Sequence, residues 1–262
     1  VMLNRSEKKS MEAIAVLEEE FAGGNVSLIK LDLASLDSVR AAAAAVLAKV
    51  PSIDALICNA AIAQVTTREL TVDGFESQMG VNYFGHFLLC ALLFDRIEES
   101  KGRIVVVGSA GYKMVDGLSF DDLTFEKSYA SNPVYCESKL AQIMMGFELQ
   151  RRIAAAGKDT RVYVCHPGAS RTNLIANASL AKRAAYCIIS LFSQSAERGA
   201  YPEVMCATQS GLKDGTMYGP THRWETVGPV GECELAPHAQ DQVAAAKIWK
   251  MAEEQTQQVF TV

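Results

Sequence analysis

The chain has 262 residues, 49% of them hydrophobic and 21% charged. That is enough apolar material for one sizeable core in a single domain, 1–262, and it excludes a disordered, collagen-like or coiled-coil protein. With 25 Lys and Arg against 30 Asp and Glu, the net charge is −5 and no basic block exists. This argues against nucleic acid as a partner and against a polybasic membrane anchor.

Val1-Met2-Leu3 reads as the end of a strand. Met11, Ile14, Leu17 and Phe21 then fall at helical spacing, with Gly23-Gly24 beyond the end. A strand is predicted over Val26–Leu33. A helix follows on Val39, Ala43, Val46, Leu47 and Val50, with the Ala41–Ala45 run inside it and Pro51 as its stop. Ile53–Ala60 fits a short buried strand, and Phe75–Glu98 a long apolar helix. Arg103–Gly108 is a β-branched run and again a strand. Asn132-Pro133 pairs a cap with proline at the first helical position and opens a helix to about Ile153. Arg161–Cys165 is a further strand, stopped by Pro167-Gly168. Ala239–Gln255 is a final amphipathic helix with Ala244, Ile248 and Met251 on one face. Apolar strands separated by helices predict an α/β fold: a doubly wound parallel sheet with helices on both faces. Ligands of such sheets bind beyond the carboxyl ends of the strands. Here those positions are Asp32-Leu33, Asn59-Ala60-Ala61, Ser109 and Pro167-Gly168.

Seven cysteines are scattered without a C-x-x-C pair: Cys58, Cys90, Cys136, Cys165, Cys187, Cys206 and Cys233. They read as reduced core thiols of a cytoplasmic-type compartment, and neither they nor the four histidines show metal-ligand spacing. His86 reads as a helix-face packing residue, and His222 and His238 as surface residues. The N-x-S/T triplets at Asn4, Asn25 and Asn177 are read as chance matches. No run of 18 apolar residues and no signal peptide is found. The sequence contains no G-x-G-x-x-G and no P-loop.

Tyr135-Cys136-Glu137-Ser138-Lys139 puts a phenol and an ammonium one turn apart on one helix face. A phenol titrates near 10 and is a poor base at neutral pH; a neighbouring ammonium favours phenolate and makes proton exchange feasible. Alone, Y-x-x-x-K also fits a surface Tyr and a solvated Lys.

In context the pattern is specific. L-D-L-A-S-L-D-S-V-R at 31–40, N-Y-F-G-H-F-L-L at 82–89, Y-C-E-S-K-L-A at 135–141 and H-P-G-A-S-R-T-N-L at 166–174 follow one another in order, with Ser109 after its strand. Over nearly its whole length the chain resembles the short-chain dehydrogenase/reductase family, in particular its retinol dehydrogenase and protochlorophyllide reductase-like branch. The resemblance implies a Rossmann-type sheet and an oxidoreductase. It gives Tyr135 the role of general acid/base, and Lys139 that of lowering its pKa and binding the nicotinamide ribose. Ser109 would hold the substrate oxygen where negative charge develops, and Asn82 a relay water. It assigns Asn59, Ala60 and Ala61 to the adenosine ribose, Asp32 and Leu33 to adenine, and Pro167, Gly168 and Thr172 to the nicotinamide. His166, in the H-P-G form, would be structural. Arg5 stands where the ribose 2′ position would lie, with no acid beside it, which favours NADP(H) over NAD(H). Asp32 also fits a helix-cap acid, and Arg5 a solvated surface residue.

Several features depart from the family pattern. Cys58 and Ala61 replace the commoner Asn and Gly of N-N-A-G, and Gly108 stands where a second Ser is common. The long separation between Ser109 and Tyr135 inserts Tyr112–Asn132, with Met114, Leu118, Phe120 and Phe125. This stretch is expected to form one wall of the substrate pocket, although a plain surface loop also fits. The apolar stretch Ala176–Phe192 is expected to be a lid within a lid and C-terminal region, 176–238. The family opens with a strand and a T-G-x-x-x-G-x-G loop, so the expectation is that most of one such βαβ unit is missing ahead of Val1. Without it, cofactor binding would be in doubt. The implied reaction is hydride transfer between NADP(H) and the carbonyl or alcohol group of a small apolar molecule such as a retinoid, steroid or xenobiotic. A protochlorophyllide-type C=C reductase and a catalytically silent binding protein are the alternatives. A homo-oligomer through helices near 82–98 and 133–152 and a cytoplasmic location, with peripheral membrane contact, are compatible with the family.

Overall fold

The structure is a computed structural model and describes residues 1–21, 23–169 and 194–262. Strand β1 (Met2–Asn4) leads into helix α1 (Glu7–Glu20), capped by the Ser6 hydroxyl accepting from the Lys9 N–H. Strand β2 (Leu28–Lys30) leads into α2 (Leu36–Lys49), which starts on the Ser35 hydroxyl and ends at Val50, before Pro51. After β3 (Ala55–Cys58), the long predicted helix is built in three pieces. They are a single turn α3 (Ser77–Met79), a π-helical turn (Gly80–Phe84) and α4 (Gly85–Glu99). Then come β4 (Arg103–Val107), a 3-10 turn (Ala110–Met114), α5 (Ser131–Ala156) and β5 (Arg161–Cys165). Helix α6 (Ala196–Thr208), β6 (Met217–His222), β7 (Val227–Cys233), a 3-10 turn (Pro237–Gln240) and α7 (Gln242–Thr256) complete the order.

The sheet is parallel and covered on both faces, as the sequence predicts. Strands β3, β4, β5 and β6 pair in parallel in that order, and β1 pairs with β2 in parallel. Side chains alternate across each strand. Ile104 and Val106 of β4 face the main core under α4, α5 and α7, where Trp249 stacks on Phe260 at 4.9 Å and meets the edge of Phe87 at 5.0 Å. Val105 and Val107 face the other way, onto Tyr163, Cys165 and Tyr218 and onto Cys206 of α6. Both faces being dry explains why this strand reads as an unbroken apolar run.

Two elements differ from the expectation. Strands β6 and β7 form an antiparallel hairpin at the sheet edge. Their sequences, MYGPTH and VGPVGEC, carry glycine and proline and lack the apolar run of a central strand. The first helix buries Ile14 and half-buries Leu17, while Met11 and Phe21 are exposed. Its only sheet support is the β1–β2 pair, because among the described residues no ladder joins β1 to β3. A cavity of about 220 Å³ lies between these strands, lined by Val1, Leu3, Val46, Ile53, Leu56 and Leu93 among others. The two sheets are held together by α2 packing on α4. Among the described residues no helix is long and apolar enough to cross a membrane. The expected lid at 176–192, together with Thr172 and Cys187, lies outside the described residues.

Candidate active site

Strand β4 delivers Ser109 at its carboxyl end. The Gly108 N–H donates to the Cys165 carbonyl at 2.7 Å and holds β4 and β5 together to that point. Ser109 then caps the 3-10 turn, its Oγ accepting from the Gly111 N–H at 3.2 Å. Tyr135 stands in the second turn of α5, half-buried, with its phenol beside the Ser109 hydroxyl. Its ring passes Gly111 so closely that a β-carbon there would lie 3.9 Å from the ring edge. Burial pushes the Tyr135 phenol above its usual value, and the Ser109 contact works against that.

Lys139 follows one turn later and is buried. Its Nζ donates to the Val107 carbonyl and to Gln142 Oε1, both at 2.8 Å. Burial lowers its pKa to about 8, opposed by the Glu203 carboxyl from α6 and by Cys165 and Cys58. Glu203 is itself raised to about 7 by burial. The Lys139 ammonium is turned to the Val107 carbonyl and to Gln142 rather than to the Tyr135 phenol. Gln142 and Glu203 are partners that the sequence reading missed. Gln142 was findable at i+3 from Lys139; Glu203 comes from a distant helix with no local signal.

Asn82 sits in the π-helical turn with no exposed surface. Its Oδ1 accepts from the Ile62 N–H at 2.9 Å, and its Nδ2 donates to the Ile62 carbonyl at 3.0 Å and to Ser138 Oγ at 2.9 Å. Ser138 in turn donates to the Tyr135 carbonyl at 2.7 Å. Both amide hydrogens are therefore spent on bracing the Ile62 segment against the helix of the Tyr-Lys pair. Irregular π turns recur at functional positions. The next turn begins at Gly85, where a β-carbon would meet the Leu33 carbonyl at 2.6 Å; only glycine lets α4 come so close to the end of β2.

The positions assigned to the adenosine end converge. Arg5, Asp32, Leu33, Ala60 and Ala61 line one cleft of about 130 Å³ with Leu3, Asn4, Leu31, Ile62 and Val81. Asp32 Oδ1 accepts from the Ala34 N–H at 3.0 Å, so this acid also performs the helix-entry function that its position suggested. The Ala60 carbonyl accepts from His86 Nε2 at 2.8 Å. Asn59 is exposed beside this cleft but is not among its lining residues.

Pro167 and Gly168 follow β5, close to a cluster that the sequence did not show. Gly168 has φ +66, and a β-carbon on it would lie 2.5 Å from both Pro220 Cγ and the Thr226 carbonyl. The Gly168 N–H donates to His166 Nδ1, so Nε2 carries the hydrogen and faces Cys233 Sγ at 3.4 Å. Glu225 lies 3.8 Å from Nε2 and pairs with Lys113 at 2.8 Å. His166, Glu225 and Cys233 thus bring three metal-capable atoms within 4.8 Å of one another, which no ligand spacing announced. Burial holds His166 near 4 and Cys233 near 12, so both are neutral at neutral pH. The cluster ties the hairpin tip to the strand end and to the turn after Ser109.

The inserted stretch is partly packed and partly lines a cleft: Phe120, Leu123, Thr124 and Lys127 border a cavity of about 320 Å³ together with Phe75, Phe84 and Met251. Phe125 is buried, Leu118 and Phe120 pack on the core, and Ser119 is bonded twice to Glu137, at 2.7 and 2.9 Å. Met114, 71% exposed, is the member that projects from the turn after Ser109.

Residues 1–183 match the family model described as short chain dehydrogenase. The chain belongs to the short-chain dehydrogenase family. Among curated relatives of this short-chain dehydrogenase, retinol dehydrogenase 14 from Homo sapiens is 40% identical over 88% of the chain and 66% of its own length. Retinol dehydrogenase 14 from Mus musculus is 36% identical over 97% of the chain and 77% of its own length. The alignment with the human protein thus spans just under two thirds of that relative. A crystal structure of a putative uncharacterized protein from Mycobacterium Paratuberculosis superposes with a TM-score of 0.77 at 33% identity, over 98% of this chain and 84% of that one. A blue fluorescent protein from a metagenomic library, solved in complex with NADPH, superposes with a TM-score of 0.50 at 26% identity, over 65% of this chain and 64% of that one. The retinol dehydrogenase-like branch named from the motifs is the branch in which the curated relatives fall, and the oxidoreductase family is established.

Proposed function

We propose that this short-chain dehydrogenase transfers hydride between NADP(H) and the carbonyl or alcohol group of a small apolar molecule of retinoid, steroid or xenobiotic type. The observation that carries the reading is the contact between the Ser109 hydroxyl and the Tyr135 phenol at the carboxyl end of β4, with Lys139 one turn away. The cleft through Arg5, Asp32 and Ala60 fits an adenosine: apolar side chains line it, backbone is exposed at small residues, and a guanidinium suits a 2′-phosphate. Arg5, Asp32, Leu33, Asn59, Ala60 and Ala61 would hold that end, and Pro167, Gly168 and Thr172 the nicotinamide end. The bound nicotinamide supplies or accepts the hydride.

The chain's own groups manage the proton and the charge. Tyr135 donates its phenolic proton to the carbonyl oxygen during reduction and takes it back during oxidation. Ser109 Oγ–H donates to the same oxygen, where negative charge builds up. Lys139 supplies positive charge from the floor and, on leaving Gln142, a donor for a ribose hydroxyl. Met114, projecting from the turn after Ser109, contributes an apolar side chain to the substrate site. The buried, unbridged cysteines among the described residues suit a reducing, cytoplasmic-type setting.

Titration with NADPH and NADH, followed by turnover on a carbonyl panel, tests the reading. Tyr135→Phe is expected to lower kcat by roughly 10²–10⁴ with NADPH affinity nearly unchanged. Turnover retained in that variant would overturn the assignment, and a full-length protein carrying the family's phosphate loop that binds neither nucleotide would overturn the cofactor.

A further inference from the structure

Cys58, at the end of β3, and Cys90, on α4, have their sulfur atoms 3.5 Å apart. The catalytic scheme uses neither thiol, and Cys58 stands where the family pattern has Asn. One turn before Cys90 on the same helix is His86, which is 97% buried by its 3% exposure. His86 Nε2 faces the Ala60 carbonyl, which can only accept, so Nε2 carries the hydrogen and Nδ1 is a lone pair. That Nδ1 is buried without a hydrogen-bond partner of its own, and the imidazole acts to lower the Cys58 pKa. The contact between the two thiols, together with His86, pulls the Cys58 pKa down, and the same pairing and burial push Cys90 up. One sulfur is thus set up as nucleophile and the other as the group that resolves it.

We propose that Cys58 and Cys90, with His86 as proton acceptor, form an oxidisable dithiol that a hydroperoxide converts to a disulfide beneath the 59–62 wall of the cleft. His86 Nδ1 takes the Cys58 proton. The thiolate attacks one peroxide oxygen, the O–O bond breaks, and the departing hydroxide recovers the proton as water, leaving Cys58 as a sulfenic acid. Cys90 sulfur then attacks Cys58 sulfur, the S–O bond breaks, and hydroxide leaves with the Cys90 proton as a second water. The two thiols lose two electrons and the peroxide gains them. Both thiols are buried, so the reaction selects a small uncharged oxidant. Closing 3.5 Å to a bond of about 2.0 Å draws α4 toward β3. Since α4 carries the His86 contact to Ala60, the redox state of the pair is built into the wall of the cleft.

The test treats the full chain with hydrogen peroxide, alkylates it after unfolding, and maps the peptides. The expected result is loss of two hydrogen masses in a Cys58–Cys90 cross-linked peptide, restored by dithiothreitol. Cys90→Ser should instead leave a Cys58 sulfenic acid that dimedone traps, and Cys58→Ser should leave Cys90 unmodified. His86→Gln should slow cross-linking at least tenfold without preventing it. Full alkylation of both cysteines after peroxide, or cross-linking confined to Cys165 and Cys206, would overturn the proposal. None of these readouts depends on nucleotide binding or turnover.

Discussion

Replacing Asn82 with Ala asks whether this residue is a brace. The side chain has no exposed surface and makes three hydrogen bonds, to the Ile62 N–H, the Ile62 carbonyl and Ser138 Oγ. Each such bond has a net worth of about 1 kcal/mol. Ile62 is half-buried, so water can reach its backbone and limit the penalty for losing a partner; Ser138 is fully buried but keeps the Tyr135 carbonyl to donate to. The loss therefore comes to about 3 kcal/mol. In a chain of this size that corresponds to a fall in Tm of roughly 6–12 °C. Asn82→Asp should cost more than Ala, because it keeps the acceptor for the Ile62 N–H but sets a buried carboxylate against the Ile62 carbonyl. Thermal unfolding followed by circular dichroism, with urea titration alongside, measures both. An Ala variant within 0.5 kcal/mol of the parent on the order of surface substitutions, or an Asp variant milder than Ala, would refute the bracing argument.

Other perturbations follow from the same geometry. Arg5→Ala should weaken NADPH binding by roughly 10–100-fold and leave NADH binding unchanged, which paired fluorescence titrations would read. Gly168→Ala combines a left-handed φ of +66 with a β-carbon 2.5 Å from Pro220 and Thr226; strain and overpacking together should cost about 3–5 kcal/mol in urea unfolding. Glu203 is held near 7 by burial, well above its unfolded value. The folded chain keeps that proton while the unfolded chain ionises, so this residue's contribution is greatest below about pH 4.5 and is lost as pH rises through 7. Glu203→Gln should remove about 2 kcal/mol of that decline, visible as a flatter stability profile between pH 5 and 7.

Much of this fold is legible because its strands are dry on both faces. Arg103–Val107 and Arg161–Cys165 are predicted almost to the residue, as unbroken apolar runs between helices. Asn132-Pro133 likewise announces α5, although the helix begins at Ser131 and runs on to Ala156. The β6–β7 hairpin escapes notice since an edge pair needs no such run, and its glycines and prolines read as loop. At the site, Ser109, Tyr135 and Lys139 are found from motif and placement because each sits at a strand end or on one helix face. Glu203 and Glu225 are not, since each reaches its partner from a distant element and neither sits in a repeat or a cap. In the inserted stretch composition alone does not separate two roles: Phe125 is buried in the core, while Phe120 packs on it and also borders a cavity of about 320 Å³, and Met114 projects.

The cleft gathers residues from distant parts of the chain: Leu3, Arg5, Asp32 and Leu33 come with the β1–β2 pair, and Ala60, Ala61 and Val81 with the end of β3 and the π-helical turn. A ligand seated there must touch both groups at once, and its binding energy opposes any local opening that parts them. Amide exchange in β1 and β2 would therefore slow on nucleotide binding, which ties the order of the N-terminal layer to what the cleft holds.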